Sequence, residues 1–272
     1  MTLSFTASPK PLLKRSAVAL ALAALCASAS ALPSFTFNPT AAGLAGTAFT
    51  ADNILISDYA TVRFGAGNSF TETGFLSISG AQLGGITLVP QGLNSSYGMY
   101  IQFTGNGNTG TGNPGSVGTS GTFTTLTYQL YGYNGAASFG FDIANNPTET
   151  ANGEVLLASG SLVSGTVSTA PAGGGDFTPS AAARLTFATA AGAAPFFVTP
   201  VPFYSVALAS FTNTVSQVTR FTDTAGGGFR ISQGGGSFNF VATTPPIPEP
   251  ETYALMLAGL CAVGFVARRR KV

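Results

Sequence analysis

The sequence predicts an all-β fold, and three observations carry that expectation. Short stretches alternate apolar and polar residues at the period of a pleated strand. Gly, Asn and Pro separate these stretches at close intervals, and good helix formers are sparse between the two ends. The expected architecture is an antiparallel sandwich or jelly roll of about a dozen short strands. An N-terminal signal helix and a single C-terminal transmembrane helix are expected to flank it.

The first element is the signal. Lys10, Lys14 and Arg15 make a basic start, residues 17–25 are an apolar run, and Ala29-Ser30-Ala31 follow. Small residues at Ala29 and Ala31 fit a peptidase that cuts after Ala31. The run is too short to cross a hydrocarbon core of about 30 Å as a permanent helix. Residues 1–31 are therefore expected to be removed, leaving residues 32–244 as the exported domain.

Three stretches of that domain show the strand period best. Ile54, Ile56, Ala60, Val62 and Phe64 line one side of residues 54–64, and Asp58 falls among them. Tyr97, Met99, Ile101 and Phe103 share one face, with Gly98, Tyr100, Gln102 and Thr104 opposite. Leu126, Tyr128 and Leu130 face one way, and Thr125, Thr127 and Gln129 the other. Further strands are expected over residues 75–79, 85–89, 139–143, 154–159, 184–188, 203–211, 217–221, 229–232 and 237–241. Residues 105–121 hold seven glycines in seventeen positions, and residues 170–180 contain Gly173-Gly174-Gly175. Both are expected to be mobile, exposed loops.

Charge excludes several kinds of chemistry. Between residues 33 and 244 stand four arginines (Arg63, Arg184, Arg220, Arg230) and eight acids, a net of −4, with no Lys, His, Cys or Trp. Without histidine there is no Ser-His-Asp triad and no imidazole metal site. Without lysine there is no Schiff base and no P-loop lysine. A weakly acidic body offers little to phosphates, so no nucleic-acid partner is expected. No disulfide can form in the domain, so packing must hold it. The protein is expected to use no cofactor or metal and not to be an enzyme.

The remaining candidates are carboxylates, tyrosines and glycines. Asp52, Asp58, Glu72, Asp142, Glu149, Glu154, Asp176 and Asp223 include potential acid–base pairs for a glycosidase, the alternative reading in which the domain is a carbohydrate-active hydrolase. Asp58 stands out on its apolar face. Burial there would demand an arginine partner or a raised pKa, and a bulge or strand end that returns it to solvent is the commoner outcome. Tyr59, Tyr97, Tyr100, Tyr128, Tyr131, Tyr133 and Tyr204 offer rings for sugar stacking, though tyrosines on half-buried strands usually pack. Asp52-Asn53, and Asp142 with Asn145 and Asn146, supply oxygen ligands for calcium but no Asp-x-Asp-x-Asp loop. The run Gly105 to Gly110 matches GxGxxG, yet Thr-rich strand follows where a dinucleotide site needs a helix.

The last element is the tail. Pro245-Pro246-Ile247-Pro248-Glu249-Pro250 leads into an apolar segment, residues 252–267, and then Arg268-Arg269-Arg270-Lys271. Sixteen residues at ~1.5 Å rise span roughly 24 Å, marginal for a bilayer. The basic cluster keeps the extreme end cytoplasmic. In this order Pro248, Glu249 and Pro250, the apolar helix and the Arg268, Arg269 and Arg270 cluster resemble the PEP-CTERM sorting signal of Gram-negative bacteria. The resemblance covers residues 245–272. It implies recognition by an exosortase, transient residence in the inner membrane, export across it, and release or surface attachment after cleavage.

The body carries a second likeness. Phe35-Thr36-Phe37-Asn38-Pro39 is followed by Phe49-Thr50-Ala51-Asp52-Asn53-Ile54, by Phe70-Thr71-Glu72-Thr73-Gly74-Phe75-Leu76 and by Thr127-Tyr128-Gln129-Leu130-Tyr131-Gly132-Tyr133. Together these resemble the flocculation-associated PEP-CTERM proteins of floc-forming betaproteobacteria. The resemblance implies a surface or matrix protein acting with exopolysaccharide in flocculation or biofilm formation, with no catalytic residues. An inert surface-layer component is the remaining alternative.

Overall fold

A computed structural model describes residues 32–88, 90–223 and 226–242. The signal expected at 1–31, the membrane helix expected at 252–267 and the tail residues Pro248 to Arg270 lie outside these. Among the described residues no helix is long and apolar enough to cross a membrane.

The described chain forms sixteen strands: β1 (Phe35–Phe37), β2 (Phe49–Ala51), β3 (Asn53–Phe64), β4 (Ser69–Leu83), β5 (Ile86–Leu88), β6 (Tyr97–Thr111), β7 (Ser120–Asn134), β8 (Phe139–Phe141), β9 (Pro147–Glu149), β10 (Val155–Gly173), β11 (Asp176–Thr186), β12 (Ala188–Thr189), β13 (Phe197–Thr199), β14 (Val206–Thr212), β15 (Val218–Asp223) and β16 (Gly226–Phe240). The all-β expectation is borne out, and every strand pairing is antiparallel.

Strands β3, β4, β6, β7, β10, β11, β14 and β16 are hydrogen-bonded in that order, and β16 pairs back to β3. The sheet therefore closes into an eight-stranded, up-and-down ring, which removes the exposed edges an open sheet would carry. Opposite walls face one another across a single core, the layered relation of a sandwich. Tyr128 of β7 meets Phe238 of β16 across it, with ring centroids 6.1 Å apart. On one side of β10 runs β7, paired with Val155–Ser161 and again with Thr166–Ser168, and on the other runs β11, paired from Leu162 to Gly173.

Alternation decides which side faces in. Ile54, Ile56, Ala60 and Val62 of β3 and Ile101 and Phe103 of β6 are buried, while Gln102, Thr104, Thr127 and Gln129 stand outside. Apolar residues inside and polar residues outside are the reverse of what a lipid-embedded barrel needs.

The glycine-rich segment departs from the loop expected at 105–121. Most of it is strand: β6 runs to Thr111 and β7 starts at Ser120. Gly105 and Gly107 are inward positions alternating with outward Asn106 and Asn108, and a Cβ on Gly107 would sit 2.6 Å from the Thr122 carbonyl oxygen. The short connection left over is not loose either. Thr119 donates to the carbonyls of Asn113 (3.0 Å) and Ser116 (2.9 Å), and Thr169 donates to Ser116 (2.6 Å), tying the turn to β10. The loop expected at 170–180 is likewise mostly the β10–β11 hairpin, with positive φ at Gly173, Gly174 and Gly175 making its turn.

A phenylalanine cluster packs at the strand ends near Phe238 and Phe240. The small sheet β13-β1-β2 brings in Phe35, Phe37, Phe49 and Phe197, with ring contacts between 4.7 and 6.3 Å linking Phe37 to six neighbours including Phe240. On the outside, the β8–β9 arm lies against β3 and β4. Arg63 donates to the Ala144 carbonyl (2.7 Å) while its guanidinium holds Asp223 at 2.9 Å, and Thr61 donates to the Asn145 carbonyl. Arg230 lies over the Phe141 ring at 5.3 Å.

Candidate functional site

Two places in this fold gather functional side chains: the lumen and a groove on the outer wall.

The lumen is a cavity of about 80 Å³ to which all eight ring strands contribute. Its lining is apolar and aromatic, with Phe70, Phe103, Phe123, Tyr128, Phe229 and Phe238 among it, and Asp58 and Glu72 are its two acids. Asp58 is 3% exposed and Glu72 8%. Asp58 is not returned to solvent: it pairs with Leu76 on β4 and with Gly234 on β16, where the bulge falls on the partner strand at Gln233, and its side chain stays inside. No arginine reaches it. Burial raises the Asp58 carboxyl well above the carboxylate range, and the Glu72 charge raises it further. Burial alone lifts Glu72 to about 7.

Two further polar atoms complete this environment. Asp58 Oδ1 is buried without a hydrogen-bond partner, and so is Asn213 Oδ1. Asn213 lines the same lumen and fills the space over Gly234, where a Cβ would strike its Oδ1. Gly234 is also the residue paired with Asp58. The sequence offered no sign of Asn213, because its inward direction depends on where β14 ends. Tyr128 is satisfied, donating to the Thr186 carbonyl at 2.9 Å.

The second place is a groove of about 310 Å³ on the outer wall, lined by Tyr59, Ser77, Ser79, Asn94, Tyr133 and Phe139, among others. Rings continue beside it. Tyr100 stacks on Tyr131 at 5.4 Å and meets Phe139 at 5.6 Å, and Tyr59 meets Phe139 at 5.7 Å. The structure thus gathers Tyr59, Tyr100, Tyr131 and Tyr133 on the outer side of the ring, where Tyr100 and Tyr133 are each only 3% exposed, and places Tyr128 within. Tyr97 and Tyr204 go elsewhere, Tyr97 to the interior with its hydroxyl pushed up to about 12 by burial, and Tyr204 to the phenylalanine cluster, stacked on Phe240 at 5.4 Å.

The other candidates serve the fold. Asp52 accepts from the Gly84 amide at 2.6 Å. Asp142 accepts from the Ala144 and Asn146 amides and from the Asn146 side chain, and these bonds hold its carboxyl below the usual range, the Asn146 side chain first. Both its oxygens are thus engaged in a turn. Among the described residues no three acids, cysteines or histidines gather around a metal-sized space. The GxGxxG run lies in β6 with no helix after it.

Residues 246–271 match the family model of the PEP-CTERM protein-sorting motif. The chain carries a PEP-CTERM sorting motif. The matched span encloses Pro248, Glu249, Pro250 and the arginine cluster. It supports processing by an exosortase, export, and a cell-surface or extracellular fate. No curated protein and no solved structure matches the chain.

Proposed function

We propose that this PEP-CTERM protein is a non-enzymatic surface or matrix component that binds exopolysaccharide and so holds cells together in flocs or biofilm. The observation that carries the reading is the outer wall. Thr73, Thr104 and Thr127 lie side by side across β4, β6 and β7, and Gln102 sits beside Gln129. Thr71 donates to Asn106 Oδ1 (2.9 Å) and Asn106 donates to Thr125 (3.1 Å), so hydroxyls and amides run across strands roughly 4.8 Å apart. Uncharged donors and acceptors at that spacing, beside the Tyr59–Phe139 groove, suit a polymer of hydroxylated rings. Each contact is weak, and many copies on one surface make them effective.

The lumen carboxyls do not favour the hydrolase alternative. A glycosidase pair flanks the scissile bond of its substrate, whereas Asp58 and Glu72 are enclosed within a closed ring with no cleft for a chain.

The test is co-sedimentation of the purified protein with host exopolysaccharide, alongside Tyr59→Ala and Phe139→Ala. Binding that weakens several-fold in both variants supports the reading. Absence of binding at any salt or calcium concentration, or unchanged binding in both variants, overturns it.

A further inference from the structure

The lumen holds more polar chemistry than packing needs. Asp58, Glu72 and Asn213 present acceptor oxygens to one cavity, and the Oδ1 atoms of Asp58 and Asn213 are buried with no donor. An unsatisfied buried acceptor costs on the order of 1–3 kcal/mol, and two in one cavity mark a place where donors are missing. The hydroxyls on the lumen wall are bonded elsewhere, Thr109, Thr119, Thr169 and Tyr128 to backbone carbonyls and Ser168 to Ser180, and the arginines are engaged elsewhere or stand outside. Arg63 holds Asp223, Arg230 lies over Phe141, Arg220 bonds to the Gly115 and Gly175 carbonyls, and Arg184 is exposed. Ala60 and Gly74 pair directly between the Asp58–Leu76 and Val62–Glu72 rows, so neither strand puts bulk there.

We propose that the lumen binds a small primary ammonium ion, a short protonated alkylamine, with its three N–H donors on Asp58, Glu72 and Asn213 and its apolar body against the phenylalanine lining. An ammonium carries three donors and no acceptor, which matches the three acceptors present. The aromatic faces add cation–π attraction in a desolvated setting. A cavity of about 80 Å³ limits the body to a few carbons. Charge balances when the cation enters and a lumen carboxyl gives its proton to solvent. An eight-stranded ring is the size that either fills with side chains or encloses one small ligand. This site is separate from the outer wall, and its failure leaves the polysaccharide reading untouched.

The experiment titrates the purified protein at pH 8 and constant KCl with n-propylammonium chloride, and separately with n-propanol, its neutral counterpart. Methyl resonances of Ile101 and Leu126, both on the lumen wall, report occupancy. Saturable shifts with propylammonium, at least about tenfold tighter than with propanol, are expected. Asp58→Asn and Glu72→Gln keep side-chain shape and should each erase most of that preference. Equal affinity for the alcohol, retention of the preference in both variants, or no saturable shift overturns the proposal. Should either variant fail to fold, the ammonium-to-alcohol ratio in the parent protein still decides.

Discussion

Asp58 and Glu72 enter one lumen from adjacent antiparallel strands with only the Ala60–Gly74 pair between their rows. Both carboxyls are raised, Asp58 by burial and then by Glu72, and Glu72 by burial to about 7 from 4.5. The remaining lumen groups add no compensating charge. Tyr128 of β7 is neutral and bonded to Thr186, and β6, β10, β11, β14 and β16 line the space with uncharged side chains. The folded state therefore keeps protons that the unfolded chain releases. This linkage contributes stability that is fully present below about pH 4.5 and is lost as pH rises toward 7. The Glu72 share is about 3 kcal/mol. Glu72→Gln should flatten this slope and make the variant more stable than the parent at pH 8. Urea unfolding at pH 5 and pH 8 measures both, and parallel losses in parent and variant would remove the buried-acid explanation.

The apolar face on which Asp58 falls was legible in the sequence, because Ile54, Ile56, Ala60 and Val62 set the period. The expectation that a bulge or strand end would return Asp58 to solvent was not met. Its confinement was not legible. Closure depends on β16 pairing with β3, a contact that joins residues far apart in sequence and leaves no local pattern. The Gly-Asn-Gly-Asn run at Gly105 to Asn108 carried a strand signal in alternation, small inward and polar outward, but glycine density reads more readily as a loop. The strands β1, β2, β9 and β13 are three residues each, too short to show a period at all.

That glycine run gives a paired prediction. A Cβ at Gly107 would crowd the Phe70 ring and the Thr122 carbonyl, whereas one at Gly110 would find nothing closer than Ser120 O at 3.9 Å. Gly107→Ala should cost about 1–3 kcal/mol by overpacking. Gly110→Ala should fall within about 0.5 kcal/mol of the parent. Denaturation midpoints of the two variants check this, and similar values for both would mean that Gly107 is not a packing position.

Arg220 fastens two hairpin turns together. It donates to the Gly115 carbonyl at 2.9 Å and the Gly175 carbonyl at 3.3 Å, and lies 4.5 Å above the Phe177 ring. Arg220→Ala removes all three contacts, a loss on the order of 1–2 kcal/mol concentrated at the turns. Amide exchange at Gly118 and at the Gly173–Gly175 turn should quicken about tenfold with the strand centres unchanged. Arg220→Lys keeps the charge without the planar fork and should recover little. Uniform acceleration across the ring would instead show that Arg220 supports the whole fold.

Phe37 tests whether the phenylalanine cluster and the ring form one cooperative unit. It is 2% exposed and its ring meets Phe35, Phe196, Phe197 and Phe240, so the cluster joins the N-terminal strand β1 to the end of β16. Phe37→Ala should cost about 3–5 kcal/mol, a large share of a typical domain's 5–15 kcal/mol. Phe37→Leu, which keeps more of the volume, should cost less. In urea the midpoint should fall with the slope unchanged, because loosening the cluster opens the ring beside Phe238 and Phe240 at the same time. A reduced slope would show the cluster melting on its own while the ring persists. The β1 segment would then be a separable plug rather than part of the core.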